Sequence, residues 1–319
     1  MKAMCLNSQN AFVWSDVPDP VAHDEFDVIL QIKACALNRA DLMQRAGTYP
    51  PPPGWPAWPG LECAGIVLQA PTSSRFHPGD RVCALLGGGG YAERVAVPAG
   101  QCLPIPEGLS FEEAAAIPEV FATAYLNFRF EADLQPGETL FLQAAASGLG
   151  LASIQLAKHV FHAKVVATVG SEAKADIVRR YGADVVANRR TDNLTDVLAA
   201  NPPDVALDCV GGPGMGALFA QMAPHGRWIS IATLAGAEAE INLGTVFRKG
   251  LRLIGSTLRS RTPERKEEIL AALERDAWPL FASRTIAPTL HKVLPISEVE
   301  EAHRILAANE NMGKVVLTL

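Results

Sequence analysis

From residue 140 onward, short apolar runs alternate with stretches whose apolar residues recur at helical spacing. The runs 140–143, 164–169, 184–187, 205–209, 228–232 and 251–255 contain few polar positions, as strands covered on both faces do. Between them, 149–161, 172–181, 194–199 and 215–222 read as helices. This alternation predicts an α/β domain with a doubly wound parallel sheet.

The first 115 residues have a different rhythm. Runs at 27–33, 62–69, 80–85 and 91–97 are separated by Gly/Pro turns and predict a β-rich module. The proline run 50–53 is too restricted for a helix or central strand, so it is a stiff loop, either lining a cleft or simply connecting elements. Residues 110–130 turn helical: Ser110 and Glu113 have capping-box spacing, Pro118 interrupts the helix, and Thr123 restarts it. The tail predicts helices at 263–273 and 299–308 and a strand at 314–319, with capping-box spacing again at Ser297 and Glu300. So short a tail has no core of its own and is expected to pack back on the β-rich module. The expected domains are 1–120, 121–260, and a returning segment 261–319.

Charge narrows the partners. Among 319 residues, 28 are basic and 34 acidic, giving a net charge of −6 without any long basic block, which argues against nucleic acid. No window approaches 18 continuous apolar residues, and the first ten residues do not resemble a leader. A soluble, cytoplasmic protein without membrane partners is expected. The six dispersed cysteines read as free thiols.

The chemistry concentrates at the turn Ala144-Ala145-Ala146-Ser147-Gly148-Leu149-Gly150, placed between a strand and a helix. Small residues there let backbone amides approach a pyrophosphate. Ala145 stands where the G-x-G-x-x-G pattern has its first glycine, and a small-residue turn that binds nothing is the plain alternative. After the second strand comes Gly170-Ser171-Glu172-Ala173-Lys174, without the usual ribose-binding carboxylate at the strand end. Ser171 can donate to a phosphate and Lys174 can neutralise it, with Arg189 and Arg190 within reach, while Glu172 must point away. Each could be an ordinary surface residue; together they favour NADPH. Gly211 and Thr233 lie in loops at later strand ends, where a cofactor crevice forms.

Several stretches carry a wider resemblance. They include 36–45 around Asn38, Tyr49 with Pro51-Pro52-Pro53-Gly54, Pro59-Gly60-Leu61-Glu62, the glycine-rich 81–92, Ala114 to Glu119, the Ala145 to Gly150 turn, 255–261 and 311–317. Across nearly the whole chain, the sequence resembles the zinc-free quinone oxidoreductase branch of the medium-chain dehydrogenase/reductase superfamily, most of all its tumour-suppressor-inducible group. The resemblance implies a GroES-like catalytic domain completed by the tail, a Rossmann domain, bound NADPH and a homodimer. It places Asn38 and Tyr49 at the substrate site. It places Thr123, Ala146, Ser147, Gly148, Leu149, Gly150, Ser171, Lys174, Arg189, Gly211, Thr233, Leu258 and Lys314 along the cofactor, with Arg189 replacing an aromatic residue usual in the family.

Asn38 and Leu61 stand where the zinc enzymes of the superfamily carry ligands, and the four-cysteine lobe is missing, so no metal is expected. Without it, direct hydride transfer to a conjugated quinone is the expected reaction, with or without semiquinone release. Reduction of enals or enones, and a non-catalytic NADPH-binding protein, remain the alternatives. Asn38 is either a positioning amide or a turn stabiliser; Tyr49 either meets substrate or packs. Arg259 and Arg261 line the site or an interface.

Overall fold

The computed structural model describes residues 1–22 and 27–319. Its contacts divide the chain into two units, one comprising Met1–Ala122 with Arg259–Leu319 and the other Thr123–Leu258.

The first unit begins with the antiparallel pair β1 (Lys2–Leu6) and β2 (Phe12–Asp16), followed by β3 (Asp27–Ala36), α1 (Arg39–Arg45), β4 (Glu62–Gln69), β5 (Arg81–Leu85), β6 (Arg94–Pro98) and β7 (Cys102–Pro104). Two short helices follow, α2 (Phe111–Ala115) and α3 (Pro118–Tyr125). The Ser110–Glu113 box caps α2 in both directions; the next helix starts at Pro118 itself and not at Thr123 as expected, because proline is well placed in a first helical turn. The helical stretch ends in a π-helical turn, Leu126–Glu131.

The second unit is built from β8 (Thr139–Leu142), α4 (Gly148–His159), β9 (Lys164–Val169), α5 (Glu172–Arg180), β10 (Val185–Asn188), α6 (Leu194–Ala200), β11 (Val205–Asp208), α7 (Met215–Phe219), β12 (Arg227–Ser230), α8 (Leu243–Lys249) and β13 (Arg252–Gly255). Its six strands are all parallel, in the order β10-β9-β8-β11-β12-β13. That is the Rossmann order, with its switch point between β8 and β11. Phe141, Val166, Ala206, Phe219 and Trp228 form the centre of one core cluster on this sheet.

The chain then returns to the first unit through α9 (Pro263–Ala282), β14 (Leu290–Pro295), α10 (Val299–Ala307) and β15 (Lys314–Thr318). β15 pairs antiparallel with β3, with Leu317 opposite Cys35, so the tail completes the sheet β14-β15-β3-β4-β5-β7. Leu30, Val82, Tyr91, Ile305 and Leu317 share its core, showing why the tail needs none of its own.

Two further expectations need correction. The helix expected at 263–273 continues to Ala282, because Ala277 and Phe281 keep burying its apolar face. The expected Ser297–Glu300 box does not form: Glu298 precedes α10, and Glu300 instead accepts from Phe12 N at 3.0 Å and pairs with Arg45 at 2.7 Å. Tertiary partners outcompete the local cap.

Candidate functional site

At the switch point in the second unit, β8 delivers the chain into a tight turn where Ala144 takes a left-handed backbone, φ 52°. Ser147 caps α4, its Oγ accepting from Gly150 N at 3.1 Å. A Cβ on Gly150 would lie 2.3 Å from Ala145 O, so only glycine lets the helix start this close to the strand. The close approach therefore resides at Gly150, and Ala145 can stand in the first glycine position. The amides of Gly148 and Leu149 belong to the first helical turn, where no preceding carbonyl can accept them. With the helix dipole, they form a ready anion cradle.

Across the switch point, Asp208 ends β11 fully buried. Its carboxylate accepts from Gln143 Nε2 at 2.8 Å, Val210 N at 2.7 Å and Trp228 Nε1 at 3.1 Å. It also accepts from Gly211 N, fixing the loop on which Gly211 has φ 60°. A Cβ on Gly211 would approach Thr233 Cα to 3.4 Å, so these two predicted residues are neighbours. Thr123 opens the unit, its carbonyl accepting from Asn127 Nδ2 at 2.7 Å. Leu258 closes the unit and is buried.

Beyond β9 the charges assemble as a cluster. The Arg189 guanidinium lies over Gly170, 3.2 Å from where a Cβ would be. Burial, and then the charges of Arg189 and Arg190, hold the Lys174 ammonium below its usual range. Ser171 precedes α5 at its N-cap position. Glu172 turns to Arg179, pairing at 2.7 Å. Three cations beside a hydroxyl at a helix N-terminus are groups of the kind that could hold a multiply charged anion.

In the first unit, Asn38 sits at the N-cap of α1. Its Nδ2 donates to Glu62 Oε1 at 2.9 Å, and its Oδ1 accepts from Lys314 Nζ at 2.6 Å. The same ammonium lies 2.6 Å from Glu62 Oε1 and donates to Leu37 O at 2.6 Å. Lys314 is thus committed to this buried network. Glu62 Oε2 accepts from Glu119 N at 2.8 Å. Asp41 accepts from Asn38 N at 2.7 Å and Gly60 N at 3.0 Å, while burial raises its pKa to about 6. The network offers an amide, carboxylates and an ammonium. Among the described residues, no group of three His, Cys, Asp or Glu side chains is placed to hold a metal.

Tyr49 is held by Arg259. The guanidinium lies 4.9 Å from the Tyr49 ring centre and donates to Tyr49 O at 3.1 Å, Gly87 O at 2.8 Å and Gln44 Oε1 at 2.6 Å. This staple fixes the loop before the proline run against the glycine-rich strand end.

Sequence reasoning missed Glu62 and Glu119 as network members. Their apolar surroundings, Leu61-Glu62-Cys63 and Ile117-Pro118-Glu119-Val120, were the available signal, because a lone carboxylate in such a run must be paired or neutral.

Comparisons with known proteins agree with this arrangement. Residues 24–107 match the alcohol dehydrogenase GroES-like domain, and residues 148–275 match the family described as zinc-binding dehydrogenase. The quinone oxidoreductase of Thermus thermophilus, solved alone and with NADPH, is 32% identical, with a TM-score of 0.83 over 100% of both chains. An alcohol dehydrogenase superfamily protein from Novosphingobium aromaticivorans superposes with a TM-score of 0.86 at 27% identity, covering 100% of this chain and 99% of that one. Quinone oxidoreductase-like protein 2 of Bos taurus is 29% identical across 99% of this chain and 92% of its own length.

Proposed function

Because the chain belongs to the quinone-oxidoreductase-like branch of the medium-chain dehydrogenase/reductase superfamily, we propose that it is an NADPH-dependent, metal-independent reductase of quinones. The observation that carries the cofactor choice is the Lys174, Arg189 and Arg190 cluster beside Ser171. Mutually repelling, partly desolvated cations suit a doubly charged 2′-phosphate and have no use for a bare ribose hydroxyl. The residues fit the rest of the dinucleotide as well: the start of α4 suits the pyrophosphate, and the Gly211 and Thr233 loops line the carboxyl ends of the strands.

When bound, the dinucleotide supplies a hydride, the chemistry this protein cannot make from side chains. The chain's own contribution is orientation. Tyr49, stapled by Arg259, presents an aromatic wall to a planar acceptor, and Asn38, locked between Glu62 and Lys314, presents a fixed amide. A conjugated quinone needs no Lewis acid to accept hydride, so a site of amide, phenol and carboxyl groups suffices. Within the branch, the residues quoted above resemble the tumour-suppressor-inducible group; hydride transfer gives the hydroquinone, and semiquinone would follow from its comproportionation with a second quinone molecule.

The active species is proposed to be a cytoplasmic homodimer. Among the described residues, β13 pairs only with β12 and forms the sheet edge; nearby Phe247 and Leu243 on α8 are 87% and 77% exposed. An exposed edge with apolar neighbours suits a second copy. NADPH oxidation measured with ortho- and para-quinones and with 2-alkenals tests the function: turnover of quinones is expected. Turnover of alkenals alone would transfer the assignment to alkene reduction, and tight NADPH binding without any turnover would make the protein a non-catalytic NADPH-binding protein.

A further inference from the structure

Glu119 is the one carboxyl of the first unit's network whose side chain accepts no hydrogen bond and joins no ion pair among the described residues; only its backbone N–H is used, donating to Glu62. It is the second residue of the eight-residue α3 and is half-buried. The charged and titratable groups facing it come from several elements: Glu62 on β4, Lys314 on β15, Lys266 on α9, Asp41 on α1, and the stapled pair Tyr49 and Arg259. The amide that holds Glu119 in place is fixed by the same Glu62 carboxylate that orients Asn38. Both residues are therefore positioned from one rigid point.

We infer that Glu119 is the proton donor of the reaction, delivering its carboxyl proton to the oxygen of the conjugated acceptor. This rests on the reductase reading above. Hydride addition reduces the acceptor and leaves an electron pair on its oxygen. A new O–H bond forms there as the Glu119 O–H breaks, the nicotinamide is left oxidised, and the Glu119 carboxylate regains a proton from water. Burial and the nearby Glu62 charge raise the Glu119 pKa to about 7, with Lys314 and Lys266 opposing, so both forms are populated near neutrality, as an acid that must reload requires. Asp41 is similarly raised but already spends its oxygens on Asn38 N and Gly60 N. Glu62 is spent on Lys314 and Asn38.

The test combines infrared titration of the cofactor-free protein with pH profiles of quinone reduction and NADPH binding, for wild type, Glu119→Gln, Glu119→Asp and Lys266→Met. A protonated-carboxyl band that disappears as pH rises through about 7 and is missing in Glu119→Gln is expected. Wild-type kcat should fall along the same limb. Glu119→Gln should lose the limb and about 100-fold in kcat while binding NADPH as wild type does, and Glu119→Asp should recover part of the rate. Lys266→Met, which removes a cation favouring the carboxylate, should move band and limb together to higher pH. A missing band, a limb that survives in Glu119→Gln, or a limb that does not follow the band would overturn the proton donor while leaving the reductase reading intact. A wild type that turns over no acceptor would instead remove the reductase reading, and the donor with it.

Discussion

The Lys314 ammonium lies 2.6 Å from Glu62 Oε1, with the two side chains 5% and 0% exposed. A residue from the last strand thereby neutralises a carboxylate near the start of the chain and ties the tail to the side-chain amide of Asn38. Replacing Lys314 with Met leaves Glu62 charged and buried, at a cost of about 3–5 kcal/mol. Chemical unfolding should show this loss, and the double variant with Glu62→Gln should recover much of it. Equal stability of the two variants would contradict the pairing.

The cation cluster after β9 should decide between dinucleotides. Each charge-assisted bond to the 2′-phosphate is worth roughly 1.5–3 kcal/mol, so Lys174→Gln and Arg189→Gln should each raise the NADPH KM about tenfold or more. NADH, which lacks the phosphate, should be nearly indifferent. Titration of both nucleotides against both variants measures the preference; a parallel loss for NADH would mean that these cations act on folding instead.

Gly150 is bounded by backbone, not by a side chain that can swing aside. A methyl group there meets Ala145 O at 2.3 Å. Gly150→Ala should therefore cost roughly 1–3 kcal/mol by overpacking and displace the start of α4, lowering dinucleotide affinity. Calorimetry and a nucleotide-binding isotherm on the same sample check both effects.

Acid should weaken the first unit at His303. Its ring is buried, meets Tyr91 Oη at 3.3 Å through Nε2, and packs edge-on against Phe12 with centres 4.8 Å apart. Burial holds its pKa near about 4, below the ~6.5 of an unfolded histidine. The unfolded chain binds the extra proton, so this stabilisation is present above pH ~6.5 and is lost progressively as pH falls toward ~4, on the order of 3 kcal/mol in all. The stability difference between wild type and His303→Gln, followed by urea unfolding across that window, should shrink with acidification. A pH-independent difference would show the ring titrating normally.

The sequence by itself determined the parallel α/β rhythm, the small-residue turn at Ser147 to Gly150 and the cap at Ser110, because each depends on residues within a few positions of one another. It also exposed the Ser171 to Lys174 segment as a candidate cofactor site. Only the tertiary structure decided that Arg259 staples Tyr49 and that Lys314 meets Glu62 and Asn38. Those choices depend on which distant groups burial brings within hydrogen-bond reach. The failed Ser297–Glu300 cap shows the same competition. A local bond worth about 1 kcal/mol yields when Arg45, from another helix, offers the same carboxylate a full charge.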